Sequence, residues 1–314
     1  MIRLVLLSLI LLLFPSCAEK GLQPGEGYVE VTGGEVWYRI VGSGTNTPLL
    51  LLQGGPGVPS YYMKPLARLA DERPVILYDQ LGAGRSDSPS DTSLWRLERF
   101  VEELQQVRDA LGLREVYILG HSWGAMLVVE YMLTNPQGVR GLIIASSCLS
   151  ISRFKKDTDS LITTLPDSTQ EIIRKHESAG TTNSPEHQSA VSQYYARYML
   201  RHRRQHPDLD STSAQFNYII YKKMWGEPSS LLSVTGSLKN YERVDALPNI
   251  DIPVLYTTGR FDTCTPATVE YFHSLTPNSR MEVIENSGHM TYQDEPERSV
   301  DVVREFLREV DANR

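Results

Sequence analysis

The chain has 314 residues, a formal net charge of −7 and a pI near 5.6, so it lacks the basic excess that a nucleic-acid-binding surface needs. Hydrophobic residues make up 41% and charged residues 22%, which is ordinary for a globular protein. The length allows one large domain with an insertion, or two modest domains.

The N-terminus has the pattern of a bacterial export signal. Arg3 is followed by an almost unbroken apolar run over 4–14, which is too short to span a bilayer but has the length of a signal-peptide core. Cys17 directly follows a serine, as in the lipobox of bacterial lipoproteins, where the cysteine is lipidated. We therefore predict a signal peptide over 1–17 and an exported protein whose only membrane attachment is a lipid on Cys17. Plain secretion and a buried N-terminal helix are the alternatives.

A short tether is predicted over 18–26, where two glycines and a proline occur. After it, apolar runs alternate with helical patterns. The predicted strands cover 28–31, 35–41, 48–53, 74–79, 115–119, 140–146, 253–258 and 280–285. The later runs are short and continuously apolar, which is typical of parallel strands that are buried on both faces.

Helices are predicted between these strands, over 94–111, over 123–134 and from Pro296 onward. In the first, apolar residues recur every three or four positions, and Gly112 is a plausible stop. The second ends before Pro136, and the third starts with proline, which is favoured at the first helical position. This alternation predicts an α/β protein with a mostly parallel, doubly wound sheet.

The segment 149–246 interrupts the alternation. It is polar, has a helical pattern and holds four of the seven histidines. We predict that it is a helical cap inserted after the sixth core strand, while 27–148 and 247–314 form the core. Cys148 and Cys264 adjoin predicted core strands and are expected to be free buried thiols rather than a disulfide.

A candidate nucleophile lies in the string Gly-His-Ser-Trp-Gly over 120–124. A G-x-S-x-G string is weak by itself, but this one follows the predicted strand at 115–119 and opens a helix, as a nucleophile elbow does. The tight turn points the hydroxyl outward and leaves the next amide at a helix N-terminus. Ser122 is therefore the predicted nucleophile, and a plain strand-to-helix turn is the alternative interpretation.

A serine nucleophile needs a base, and the base needs an orienting carboxylate. In this setting the three residues follow the chain order serine, acid, histidine. Asp262 and His289 each follow a late predicted strand, at the sheet edge where Ser122 lies. The predicted triad is Ser122, Asp262 and His289, since the other histidines lie in the cap, in a predicted helix or, as His121, inside the elbow.

The oxyanion of an acyl-transfer transition state needs preorganised amide donors, each typically contributing about 3 kcal/mol. The Trp123 amide is one expected donor. The other is expected in the string Gln-Gly-Gly-Pro-Gly over 53–57, where glycines let the backbone turn toward the site. We assign it to Gly55, with a simple Gly-Pro turn as the alternative.

Together these strings resemble the proline iminopeptidases of the α/β-hydrolase superfamily. The family motifs HGGPG, DQxGxGxS, GxSxGG or GxSWGx, GxxD and a late GH correspond here to QGGPG at 53–57, DQLGAGRS at 79–86, GHSWGA at 120–125, GRFD at 259–262 and SGH at 287–289. The resemblance spans about 48–314. It implies the α/β-hydrolase fold with a cap, the triad named above, and neither a metal nor an organic cofactor.

The resemblance also implies acidic residues that hold the free amino group of the substrate, and here the chain departs from the family. Thr263 and the Ser-Ser-Leu string at 229–231 stand where one branch of the family has its acids. Glu227 is the expected substitute, with a solvated surface glutamate as the alternative. Trp225, one of many cap aromatics, is expected to pack on the substrate. Gln53 replaces the usual histidine, although only backbone amides are needed there.

The predicted function is an aminopeptidase that releases N-terminal proline, or another small residue, from short peptides. The alternative is an esterase, lactonase or amidase on the same scaffold, which the missing acids favour. Aspartate-nucleophile relatives such as epoxide hydrolases are disfavoured because the elbow holds serine. A non-catalytic binding lipoprotein is a third hypothesis, disfavoured by the complete triad. The expected partner is a small peptide, ester or amide.

Overall fold

The computed structural model describes residues 21–202 and 206–313, which contain an eight-stranded sheet. The strands are β1 Gly25–Val31, β2 Gly34–Val41, β3 Leu49–Leu52, β4 Val75–Tyr78, β5 Val116–His121, β6 Val139–Ala145, β7 Val254–Gly259 and β8 Ser279–Ile284. Their order is β1-β2-β4-β3-β5-β6-β7-β8. β2 runs antiparallel to β1 and β4, and the other neighbours are parallel. All eight predicted strands are present, with ends within three residues of the prediction.

Helices cover both faces of the sheet. In the described part of the chain they are α1 Leu97–Ala110, α2 Trp123–Met132, α3 Ile151–Ile162, α4 Asp167–Ala179, α5 Pro185–Tyr198, α6 Pro207–Ala214, α7 Tyr218–Met224, α8 Pro266–Leu275, α9 Thr291–Asp294 and α10 Pro296–Ala312. A 3₁₀ segment, Ser60–Asp71, follows β3. The helix predicted from residue 94 begins at Leu97, because Asp91 accepts a hydrogen bond from the Ser93 amide and caps a separate 3₁₀ turn.

The central strands are buried on both faces, as predicted. Every residue of β3, β4, β5 and β7 is buried. Successive residues of a strand point to opposite faces, so Leu50 and Leu52 enter the core that also holds α1 and α2 side chains. Leu49 and Leu51 enter the core that also holds α10 side chains. The chain therefore forms a sheet between two helical layers.

The cap consists of α3 to α7, which lie between β6 and β7. It has a small hydrophobic core of its own, centred on residues such as Ile162, Ile173 and Tyr194. The predicted insertion of a helical cap after the sixth strand is confirmed. Cys148 and Cys264 are buried and free, also as predicted.

The predicted tether is shorter than expected. Gly25 and Glu26 already belong to β1, where they pair with Ile40 and Arg39 of β2. Backbone pairing with a neighbouring strand needs no apolar side chain, so composition alone did not reveal it. The predicted signal peptide, Cys17 and the start of the tether lie outside the described residues. No helix in the described ranges is both long and apolar enough to cross a membrane.

Candidate active site

Ser122 occupies a strained turn between β5 and α2. Its φ of 55° and ψ of −116° are unusual for a residue with a side chain. A Cβ on Gly120 would lie 2.4 Å from the Gly124 carbonyl oxygen, and a Cβ on Gly124 would lie 2.2 Å from the Leu52 carbonyl oxygen. The Ser122 amide donates to the Ala145 carbonyl at 2.9 Å. The turn therefore closes only with glycine at both positions, which is the physical reason for the G-x-S-x-G spacing.

His289 and Asp262 form a buried hydrogen-bonded pair, with 2.8 Å between Nδ1 and Oδ1. Asp262 also accepts from the Cys264 amide at 3.0 Å and from the Thr258 hydroxyl at 3.1 Å. Burial raises the pKa of Asp262, but attraction to His289 and these hydrogen bonds outweigh it and lower the pKa below its usual value. Asp262 is thus a carboxylate that holds the imidazole by Nδ1 and leaves Nε2 available as a base.

Two backbone amides are available beside Ser122. Gly55 has a φ of 118°, which favours glycine, and lines the same pocket as Ser122 and His289. The Trp123 amide opens α2. Within 21–202 and 206–313, neither amide donates a hydrogen bond. The neighbouring Gly54 amide, by contrast, donates to the Tyr62 hydroxyl at 2.7 Å.

A small cavity of about 80 Å³ lies between the elbow and the cap. Its walls include Trp225, the predicted substrate contact, whose ring meets Phe154 edge to face at 5.3 Å between centroids. Other aromatic side chains that line it include Phe154, Tyr194, Tyr195 and Tyr221. No carboxylate is among the described residues that line the cavity. The described residues also contain no cluster of three or more His, Cys, Asp or Glu that could hold a metal ion.

Comparison with known proteins places this geometry in a family. The sequence profile of the α/β-hydrolase fold matches residues 47–296. A proline iminopeptidase from Heyndrickxia coagulans is 46% identical over 287 residues, covering 91% of this chain and 99% of that protein. The crystal structure of a proline iminopeptidase from Mycobacterium smegmatis superposes with a TM-score of 0.86 at 32% identity, covering 92% of this chain and 99% of that one. The crystal structure of VinJ has the same TM-score at 33% identity, covering 92% and 100%.

The chain belongs to the proline iminopeptidase family of α/β hydrolases. It is a hydrolase, and its predicted fold and family resemblance are confirmed.

The family string DQLGAGRS at 79–86 does not line the cavity but holds neighbouring residues of the site in place. Asp79 is buried, accepts from the Ser60 amide and hydroxyl at 2.8 and 2.7 Å, and pairs with Arg85 at 2.8 Å. Gln80 accepts from the Trp123 indole at 2.9 Å. The string therefore helps to fix Trp123, whose amide is a predicted oxyanion donor.

Gln53, which replaces the family's usual histidine, also has a structural role. Its side chain is buried, with the nitrogen donating to the Tyr78 carbonyl at 3.0 Å and the oxygen accepting from the Gln80 amide at 2.6 Å. It joins the ends of β3 and β4 and does not line the cavity. Among the described residues the Gly55 amide, two positions further on, donates to no group, so the replacement leaves the expected oxyanion donor available.

Glu227 does not reach the cavity. It forms an ion pair with Lys222 at 2.9 Å and lines a separate surface groove beside Tyr218. Gly226 has a φ of 138° and donates to the Tyr221 carbonyl, so the chain turns outward directly before Glu227. The solvated surface interpretation of Glu227 therefore fits its position, and the substrate-binding interpretation does not.

A different cap carboxylate lies immediately behind the cavity wall. Glu177, whose side chain is 5% exposed, accepts from the Ser230 hydroxyl at 2.7 Å and from the Leu231 amide at 2.6 Å. Ser230 and Leu231 both line the cavity. Glu177 thus places a negative charge one residue layer behind the wall that faces Ser122.

Sequence reasoning missed several residues that position the predicted base. The Ser146 hydroxyl donates to the His289 carbonyl at 3.1 Å, and the Thr263 hydroxyl lies 3.3 Å from His289 Nδ1. Tyr62 contacts both the oxyanion loop and His121. Apart from Gly54 and Tyr62, which are eight positions apart, these contacts join residues at least 26 positions apart and carry no local signal. The positive φ of Ser146, 50°, is visible only in the structure.

Proposed function

We propose that the protein is a serine aminopeptidase that releases N-terminal proline, or another small residue, from short peptides. The observation that carries this proposal is the cavity, where Ser122, His289 and Gly55 meet under the cap in a chain 46% identical to a proline iminopeptidase. Its volume of about 80 Å³ favours a small residue over a long acyl chain. The faces of Tyr221 and Trp225 would pack on a proline ring.

We propose the following chemistry for this site. His289 Nε2 takes the hydroxyl proton as Ser122 Oγ attacks the scissile carbonyl, while Asp262 stabilises the imidazolium. The Gly55 and Trp123 amides receive the oxyanion, and each such donor is typically worth about 10²–10³ in rate. His289 then passes the proton to the departing amine as the C–N bond breaks. Water, deprotonated by His289, hydrolyses the acyl-enzyme and regenerates Ser122.

We infer that Ser230 and Glu177 receive the free amino group of the substrate. A hydroxyl has one proton and two acceptor sites. The Ser230 proton goes to Glu177, and one acceptor site is used by the Ser233 amide at 3.1 Å. The remaining site can accept from a substrate ammonium in the cavity, and the carboxylate behind it makes that acceptor more negative.

An esterase or amidase acting on uncharged substrates is the second candidate. It is favoured by one observation, the lack of a carboxylate among the described residues that line the cavity. Solved esterases that are 20–22% identical to this chain share its fold. At that identity they support the scaffold alone.

A substrate panel separates the two candidates. Purified protein and Ser122→Ala would be offered free prolyl anilide, N-acylated prolyl anilide and a short-chain aryl ester. We expect cleavage of the free-amine anilide in preference to the other two, and none of these activities in Ser122→Ala. Preference for the ester or for the blocked anilide would establish the second candidate. Inactivity toward all three, with no labelling of Ser122 by a fluorophosphonate, would refute both.

A matched pair of variants tests amine recognition. Glu177→Gln keeps the side-chain shape but removes the charge, and charge-assisted hydrogen bonds typically contribute about 1.5–3 kcal/mol. We expect kcat/KM for free prolyl anilide to fall by about tenfold or more, with little change for an N-acylated substrate. Glu227→Gln is the control and should stay within about twofold of the native protein. Equal losses for blocked and free substrates would contradict a role for Glu177 in binding the amine.

We also propose that the chain is exported and anchored by a lipid on Cys17. The support is the N-terminal sequence alone, a basic residue followed by an apolar run and a serine before the cysteine. Expression in a bacterial host with labelled fatty acid should label the native protein and not Cys17→Ala. An unlabelled native protein released into the periplasm would indicate plain secretion instead.

A further inference from the structure

A chain of buried hydrogen bonds joins the oxyanion loop to the predicted base. The Gly54 amide donates to the Tyr62 hydroxyl at 2.7 Å, and that hydroxyl lies 2.8 Å from His121 Nδ1. His121 Nε2 lies 3.0 Å from the His289 carbonyl oxygen. Tyr62 and His121 are each 1% exposed, so water does not substitute for these partners.

The donors assign the proton positions. Because the Tyr62 oxygen accepts from Gly54, its single proton is available for His121 Nδ1. Nδ1 is then an acceptor, and the imidazole proton is on Nε2, where it donates to the His289 carbonyl. Only this arrangement, with His121 neutral, gives every donor and acceptor in this series of hydrogen bonds a partner. Burial and the neighbouring His289 lower the pKa of His121 to about 3, in agreement with that arrangement.

We propose that Tyr62 and His121 are positioning residues that set the oxyanion loop and the His289 backbone at a fixed separation across Ser122. This inference rests on the proposed roles of Ser122, His289 and Gly55. The chain of hydrogen bonds Gly54–Tyr62–His121–His289 is called the Tyr62 relay below.

Packing around the Tyr62 relay explains how it acts on the site. A Cβ on Gly54 would lie 3.2 Å from both Ser122 Cβ and the Tyr62 hydroxyl, so Gly54 packs directly against the nucleophile and the relay. Binding the Gly54 amide to Tyr62 holds the preceding peptide, and so helps to aim the Gly55 amide at the cavity. At the other end of the relay, the His289 carbonyl accepts a hydrogen bond from His121 Nε2. The His289 amide donates to the Tyr198 carbonyl at 2.9 Å.

The proton positions can be tested without measuring activity. Nitrogen-15 NMR of the imidazoles in the full chain should show His121 with an unprotonated Nδ1, a protonated Nε2 and no titration between about pH 5 and 8. The groups facing this ring are Tyr62, His289 and Tyr292, with Asp262 behind His289. A proton on Nδ1, or titration of His121 in that range, would refute the relay.

Tyr62→Phe tests its effect on catalysis, and Tyr292→Phe is the matched control. Tyr292 packs on the same imidazole at 5.7 Å, but its hydroxyl bonds neither His121 nor Gly54. With whichever panel substrate the native protein turns over, Tyr62→Phe should lower kcat by about tenfold or more with KM within about twofold, since oxyanion donors act on the transition state. Tyr292→Phe should retain kcat.

The outcomes distinguish this inference from the proposed function. If Tyr62→Phe folds and keeps the native kcat, the relay has no positioning role. If both tyrosine variants lose activity equally, the effect is one of packing, and the inference also fails. Should Tyr62→Phe fail to fold, the NMR measurement on the native chain still decides the proton positions. Labelling of native Ser122 by a fluorophosphonate reports on the proposed nucleophile independently of all these results.

Discussion

Acidification should destabilise the fold through His121. The pKa of this side chain is lowered from 6.5 to about 3, chiefly by burial and then by repulsion from His289. The pKa of His121 is lower in the folded protein than in the unfolded chain. Between these two pKa values, His121 is protonated in the unfolded chain and neutral in the folded protein. This contribution to stability is complete above about pH 6.5 and decreases as the pH falls toward about 3. The slope is at most about 1.4 kcal/mol per pH unit, or about 2.7 kcal/mol between pH 6.5 and 4.5.

Urea unfolding at several pH values measures this effect, with His121→Asn as the non-titrating reference. The difference between the two proteins is needed because burial raises the pKa of Glu103 and Asp157, which contribute with the opposite sign. The range stops at about pH 4.5 because the stability from Asp262, whose pKa is lowered, is lost below its usual value of 3.8. The unfolding free energy of the native protein should fall faster with acid than that of the variant. Parallel pH dependences would refute a neutral, buried His121.

Three further substitutions probe the elbow and its supports. Gly124→Ala places a Cβ 2.2 Å from a backbone oxygen and should lower the free energy of unfolding in urea by about 1–3 kcal/mol. Gly25→Ala, with open space around the new Cβ, should lower it far less. Equal losses would contradict the packing argument. Asp262→Asn should lower kcat by about 10⁴-fold in the anilide or ester assay, and a loss under tenfold would remove Asp262 from the triad. Gln80→Leu leaves the Trp123 indole N–H buried without its acceptor and should destabilise the fold by about 1–3 kcal/mol. An unchanged unfolding midpoint would show that the hydrogen bond between Gln80 and Trp123 does not stabilise the fold.

The fold and the positions of the proposed triad residues at one sheet edge could be predicted from the sequence for local reasons. Continuous apolar runs such as PLLLL identify buried parallel strands, because only those strands are covered on both faces. Parallel strands end at the same edge of the sheet. Residues that follow them therefore lie at that edge, which brings Ser122, Asp262 and His289 together. Gly120 and Gly124 are similarly local, since the turn itself excludes a Cβ at each position.

The sequence by itself determined the sheet, the cap insertion and the elbow, because each depends on residues that are neighbours in the chain. Only the tertiary structure decided which cap carboxylate lies near the cavity. Glu227 is next to the right loop in sequence, but the turn at Gly226 sends it outward, while Glu177 reaches the wall from another helix. The Tyr62 relay likewise joins residues up to 168 positions apart. Such contacts depend on how separate elements pack, and the direction of one side chain in a packed cap is not encoded in its neighbours.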